Sequence, residues 1–399
     1  MTKTLRINTS HLQVGMSVIE LDRPWIETPF LLHGFTISSR VDINTIQEYC
    51  EYVYVDANSM PVLLKKNNIE HSPIVSTSIE KEISTAKTIH SKASALVKSS
   101  MDEILLGNAV NEEAIKKNVT NTVESIVRNP DAMMWLTRLA SKDSYLAQHS
   151  VNCCILAVTF GRAIGMPREE LIKLATSALM HDIGMLQIPI EIINKPSPLT
   201  TEEMNIVRKH PIYSRNLLMS AGKYFLPAVD VAYTHHERID GSGYPRGLNG
   251  TQISPFAKML AILDTYEAMT SELVYREELS PFEALKFINA NKDTKFDAQL
   301  VKRFIWLIGV FPVGSIIELT SGQIGIVITS NREDNLRPKI LIMLDQNKLA
   351  AKRSILNLAR NNVDALGRVI KIARTLRKGD YGIDQQQLIA EGVKFTVLN

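Results

Sequence analysis

Histidine and aspartate crowd one stretch of the chain: His149, the pair His181-Asp182, His210, the pair His235-His236, and Asp264. Five of the nine histidines fall between residues 149 and 236. Imidazole nitrogens with carboxylate oxygens, and no evident thiolate, make a donor set suited to Fe, Mn or Zn. The settings of the acids sharpen this. His181-Asp182 follows the apolar run LATSALM, and Asp264 sits inside MLAILDTYEAM. An unpaired carboxylate in such a place is costly to desolvate, and a bound cation removes that cost. Asp182 has two oxygens and is able to bridge two cations. Paired cations hold a hydroxide between them, acidify water and neutralise a phosphoryl oxygen. That chemistry is hydrolysis of a phosphodiester.

A second signal is HHERIDGSGYPRGLNG, residues 235–250. Its glycines suggest a phosphate cradle, but a dinucleotide fold needs a preceding strand in a βαβ unit, and none is evident. Its place directly after His235-His236 favours a loop lying over the metal cluster.

These residues need a helical frame. Residues 130–310 read as almost entirely α-helical. SYLAQHSVNCCILAVTFGRAIG ends near Gly165, REELIKLATSALMHDIG ends at Gly184, and SPFAKMLAILDTYEAMTS forms another apolar helix. TEEMNIVRKHP opens at Thr200 or Thr201 with a Glu three positions on, a capping box. Residues 1–60 read as a small α+β module. MSVIEL and YVYVD have strand character, and DINTIQEYCEY is a short helix with Asp42 as N-cap. Residues 61–129 read as a polar linker giving way to helices from about Ile79. Residues 311–399 form a β-rich tail with strands in GSIIELTSGQIGIVITSN and KILIMLD. The fold class is mainly α, with a small α+β N-terminal module and a small β-rich C-terminal tail.

Composition excludes several classes. Net charge is only +3, with both signs interspersed, which argues against binding a nucleic acid polymer. Three cysteines form no disulfide framework and fit a reducing, cytoplasmic setting. The most apolar stretch, Phe304 to Ile317, is broken by Gly309, Pro312 and Gly314 and is too short to span a bilayer, so no direct membrane insertion is expected.

HDIGM, KHP, HHERIDGSGYPRGL and DTYEAMTSELVYR, in this order and spacing, resemble the HD-GYP domain over about residues 130–305. Residues 5–56 are similar to a module that often precedes such domains. The resemblance implies the all-helical HD phosphohydrolase bundle and hydrolysis of cyclic di-GMP to linear pGpG, with GMP as an extended product, through a metal-bridging hydroxide. It places His149, His181, Asp182, His210, His235, His236 and Asp264 at metal-ligand positions, with His181 and Asp182 central to catalysis. Gly243, Tyr244 and Pro245 match the signature loop.

Three positions depart from the family pattern. Met185 stands where a phosphate-binding Lys is usual, and Leu273 where an Arg is usual, while Tyr275 and Arg276 fit. Tyr145 stands where some members carry a third-metal Glu, so two divalent transition metals are expected, Fe or Mn ahead of Zn. Lys195, Arg215 and Arg276 remain as phosphate contacts, and Glu267 as a group that touches guanine or orients a ligand. Two readings stay open: an active cyclic-dinucleotide phosphodiesterase, and a catalytically weak module that binds metal and nucleotide or a partner protein. The N-terminal module and tail leave homodimer formation and docking of a signalling partner open.

Overall fold

The computed structural model describes residues 4–23, 28, 30, 35–37, 39–56, 75–108, 110–138, 145–221, 225–271, 278–331, 336–360, 363–364, 367–377, 379–383 and 388. The chain divides into two units, Met1–Ser72 and Pro73–Asn399.

In the first unit, β1 (Thr4–Asn8), β2 (Ser17–Leu21), β3 (Phe35–Thr36), α1 (Arg40–Tyr49) and β4 (Tyr52–Asp56) follow in order. The strands form an antiparallel sheet in the order β1-β4-β2-β3. Alternation in YVYVD buries Val53 and Val55 against Ile43 and Ile46 of α1. Helix α1 starts three residues before the expected point. Ser39 is its N-cap, and Asp42 is the third helical residue whose carboxylate returns to the Ser39 amide. Asp42 thus completes a capping box and is not the cap itself.

The second unit opens with α2 (Ile79–Leu105), α3 (Glu112–Arg128) and α4 (Pro130–Leu136). Helix α2 packs on α3, α4 and α5 (Tyr145–Ala163). Helix α5 is buried almost all round, so it runs through the centre of the bundle and its polar residues point into the interior. Around it lie α6 (Arg168–Met180), α7 (Ile190–Ile193), α8 (Thr201–Val207), α9 (His210–Ala221), α10 (Leu226–Thr234), α11 (Pro255–Thr270), α12 (Pro281–Ala290) and α13 (Ala298–Ile308). Thr200 and Glu203 form the expected capping box on α8. Helix α13 stops at Gly309, where φ is +72°. The antiparallel sheet that follows runs in the order β8-β7-β6-β5-β9, from β5 (Ile316–Leu319), β6 (Ile324–Thr329), β7 (Lys339–Leu344), β8 (Ala350–Asn357) and β9 (Ile372–Leu376). Ile317, Val327 and Ile340 fill its own small core. Among the described residues, no helix is long and apolar enough to cross a membrane.

Candidate metal centre

Each donor comes from the end or middle of a helix. His149 lies one turn into α5. Helix α6 stops at Met180, four residues short of the expected Gly184. His181 keeps helical angles, Asp182 departs to φ −98° and ψ 12°, and residues 183–187 form a 3-10 turn. The break lets consecutive side chains face one cavity. Gly184 is required by contact: a Cβ there would collide with the His210 carbonyl and the Ser214 amide of α9. Its own amide donates to Ser214 Oγ at 2.8 Å. This close approach brings His210, at the start of α9, up to the His181-Asp182 pair. His235 caps the C-terminus of α10, His236 follows it, and Asp264 projects from α11.

The seven side chains meet around Asp182. Its Oδ2 lies 3.6 Å from His149 Nε2 and 3.5 Å from His181 Nε2. Its Oδ1 lies 3.2 Å from His210 Nε2 and 3.3 Å from His235 Nε2. Asp264 Oδ1 adds to the first group, 3.1 Å from His149 Nε2 and 3.8 Å from His181 Nε2. His236 joins the second, with Nε2 3.1 Å from His210 Nε2.

The rings are held from behind. The Nδ1 atoms of His181 and His210 each donate to a backbone carbonyl at 2.8 Å, Ala178 and Val207 respectively. His235 Nδ1 donates to Ala232 O at 3.0 Å. With those protons on Nδ1, the Nε2 atoms present lone pairs inward. His210 and His235 then face each other lone pair to lone pair at 3.3 Å. His181 Nε2 and Asp182 Oδ1 are buried without any hydrogen-bond partner. Converging lone pairs and orphaned buried acceptors are satisfied by a cation, so the residues fit a metal.

Protonation follows the same logic. Burial works to raise the Asp182 carboxyl, but His181 and His210 beside it hold it well below the usual range. Asp264 is likewise held low against burial by His149 and His181. Burial lowers His235, and burial with His235 and His210 nearby lowers His236 further. At His149 and His181 burial favours the neutral ring, yet the surrounding acidic groups prevail and raise both. A cation at Nε2 displaces those protons. Cys153 also borders the cluster. Its sulfur lies 3.7 Å from His149 Nε2 and 4.0 Å from Nδ1, so it rests against the ring and not beyond the Nε2 lone pair.

The 235–250 loop stands beside this cluster. Tyr244 stacks on His236, ring centroids 4.8 Å apart. Buried Glu237 organises the turn, accepting from the Arg246 amide at 2.7 Å and the Leu248 amide at 2.9 Å. At Gly243 a Cβ would strike the backbone of Glu237 and Arg238. The Tyr244-Pro245 peptide is cis.

Comparison with known proteins identifies the family. A model of the HD domain matches residues 134–300, and one described as a domain of unknown function (DUF3391) matches residues 4–115. A cyclic di-GMP phosphodiesterase of Pseudomonas aeruginosa is 31% identical over 369 residues, 89% of this chain and 89% of its own length. The chain belongs to the HD-GYP family. A 3'3'-cGAMP-specific phosphodiesterase of Vibrio cholerae is 31% identical over 159 residues, covering 40% of this chain and 34% of its own. A solved HDG"Y"P protein of Bdellovibrio bacteriovorus covers 76% of this chain and 98% of its own at 18% identity and a TM-score of 0.48.

Within this HD-GYP chain the expected substrate contacts fare unequally. Glu267 faces the interior of the bundle. It is buried, with Oε2 against His149 Nδ1 and Oε1 accepting from Asn152 at 2.8 Å and Ser271 at 2.7 Å. Both oxygens are engaged inside the bundle, an arrangement that matches the expected role of orienting a neighbouring ring, here His149. Lys195 is engaged by the capping Glu203 at 2.6 and 2.9 Å. Arg215 lies over Tyr233, 5.2 Å from the ring centre. Leu273, Tyr275 and Arg276 lie outside the described residues. Tyr145, in place of an acid, stacks on His149 with centroids 5.7 Å apart. Met185 lies half-buried in the 3-10 turn. Asn152, Glu237 and Arg208 were not anticipated. The guanidinium of Arg208 lies over the Tyr244 ring at 5.5 Å, and Arg208 sits two residues before His210, a spacing that marks it as a neighbour of the site.

Proposed function

We propose that the protein is a metal-dependent phosphodiesterase that opens cyclic di-GMP to linear pGpG in the cytoplasm. The observation that carries this reading is Asp182, whose two oxygens serve two separate imidazole groups. His149, His181 and Asp264 would hold one divalent cation, and His210, His235 and His236 a second, with Asp182 shared. Iron or manganese suits these nitrogen and oxygen donors. When bound, the cations supply Lewis acidity, neutralising phosphoryl charge and acidifying water.

The chain's own groups do the remaining work. The carbonyls of Ala178, Val207 and Ala232 keep the Nε2 atoms unprotonated and aimed inward. Tyr244 covers the outer face of His236 and offers a ring for a base to stack on. Arg208 above that ring is placed to meet a phosphate oxygen, a role open because Met185 carries no charge. We assign the catalytic domain to residues 130–310, with 1–60 a separate module, 61–129 a joining segment and 311–399 a β-rich tail. The joining helices α2 and α3 pack against α5 and α6 of that domain.

Met185 favours a second reading, in which nucleotide is bound but turned over slowly. One experiment separates them: anaerobically purified protein is assayed with Fe²⁺ or Mn²⁺ on cyclic di-GMP and 3'3'-cGAMP. Hydrolysis that disappears in Asp182→Ala supports the first reading. Nucleotide binding by metal-loaded protein without turnover supports the second.

A further inference from the structure

The brace behind His149 does not end at Glu267. Asn152 donates to Glu267 Oε1 through Nδ2, and its Oδ1 accepts from Gln148 Nε2 at 2.9 Å. The other hydrogen of the Gln148 amide faces His90 Nε2 at 3.1 Å. An unbroken run of hydrogen bonds therefore joins His90 on α2 to His149 on α5.

The donors and acceptors along this run allow one arrangement. Gln148 donates in both directions, so His90 Nε2 accepts and the His90 proton sits on Nδ1. Asn152 presents its oxygen to Gln148, so its NH₂ turns to Glu267. Asn152 and Ser271 both donate to one Glu267 oxygen. The other oxygen is left to accept from His149 Nδ1. With that proton on Nδ1, the Nε2 lone pair points at Asp182 and Asp264. Reversing any amide would set two like groups against each other.

The surroundings of His90 indicate that its polarity is used. It is buried beside a small cavity lined by Ala93, Met133, Cys154 and Leu179 with Asn118 and Thr122, and burying an imidazole there has a desolvation cost that its hydrogen bond to Gln148 offsets. Burial lowers its pKa to about 4, so the ring is neutral near pH 7 and Nε2 is free to accept. A protonated ring would turn an N–H against the Gln148 amide.

We propose that His90 and Gln148 are positioning residues for the metal centre, setting the tautomer and ring orientation of His149 through Asn152 and Glu267. The proposal rests on the reading of His149 as a metal ligand. It ties the stretch 4–115, matched by the domain of unknown function, to the HD-domain site, because His90 belongs to the first and His149 to the second.

The test titrates metal-free protein with Co²⁺ and follows its visible absorption, which reports affinity and coordination geometry without turnover. Wild type is compared with His90→Leu, Gln148→Leu and His90→Gln, whose amide oxygen restores an acceptor. Loss of a partner behind a metal-binding histidine costs about 10–100-fold in affinity, so the Leu variants should bind about tenfold more weakly with an altered spectrum. His90→Gln should return to the wild-type curve. Folded Leu variants with the wild-type curve and spectrum would overturn the proposal while leaving the metal reading intact. A wild type that takes up no Co²⁺ would overturn both. If His90→Leu does not fold, half-buried Gln148→Leu decides the matter by the same measurement.

Discussion

The two halves of the metal centre are braced differently. On the Oδ2 side of Asp182, His181 is held by the Ala178 carbonyl, but His149 is held by a carboxylate that is itself held by Asn152, Ser271 and, further back, His90. On the Oδ1 side, His210 and His235 are held by backbone carbonyls at 2.8 and 3.0 Å. A carboxylate makes its imidazole a stronger donor than a neutral carbonyl does, and it depends on side chains that mutation can remove. Carbonyl braces come with the helix ends and stay as long as α8, α9 and α10 do. Both groups are buried except at His236, which is half-buried and stacks on Tyr244. The difference leaves one group partly dependent on side chains behind it and the other dependent on backbone.

Removing the residue common to both halves should have the largest effect. Asp182→Ala is expected to lower hydrolysis on the order of 10³-fold or more and to strip metal from both halves, read by assay and metal quantification on one preparation. If only one half emptied, Asp182 would not be shared.

The long brace should also reveal itself in acid. His90 has a folded pKa near 4 against an ordinary 6.5, so between those values the unfolded chain binds more protons. Stability is then fully present above pH 6.5 and falls as pH drops toward 4. The contribution is on the order of 3 kcal/mol. Denaturant melts of wild type and His90→Leu across this window should show a shallower pH dependence in the variant. Equal slopes would remove His90 from the account.

Glu267→Gln should separate the halves. It keeps the shape but removes the charge behind His149, and is expected to weaken one of two metal-binding phases about 10–100-fold while sparing the other. Calorimetric titration with Mn²⁺ under anaerobic conditions reads both phases. An equal shift in both would erase the distinction drawn above.

The smallest effect is expected beside Tyr244. Arg208→Ala removes a charge-assisted contact of about 1.5 kcal/mol, which corresponds to roughly a tenfold rise in KM with kcat nearly unchanged. Met185→Lys should move KM the opposite way. Steady-state kinetics on cyclic di-GMP distinguish these outcomes from a change in kcat alone.

Much of this molecule was legible from local pattern. Apolar periodicity marked the helices, Thr200-Glu203 marked a cap, and YVYVD marked a strand. The clustered histidines and aspartates were legible because such residues in apolar runs carry a desolvation cost that demands a reason. Two local details were displaced by sterics and hydrogen bonding. Ser39 took the cap expected of Asp42, and α6 ended at Met180 so that Asp182 could turn.

What spacing along the chain does not contain is direction between distant residues. Glu267 and His149 are 118 positions apart, and Gln148 and His90 are 58 apart. Only the packing of α11 and α2 against α5 turned Glu267 inward, made Asn152 and Gln148 parts of one run, and set Asp182 between two groups of imidazoles. The sequence by itself determined which atoms could bind metal, because that is a property of side-chain chemistry. The tertiary structure decided which of them converge on each Asp182 oxygen and which hold a neighbouring ring in place, because hydrogen bonds and coordination act over a few ångströms that no linear pattern records.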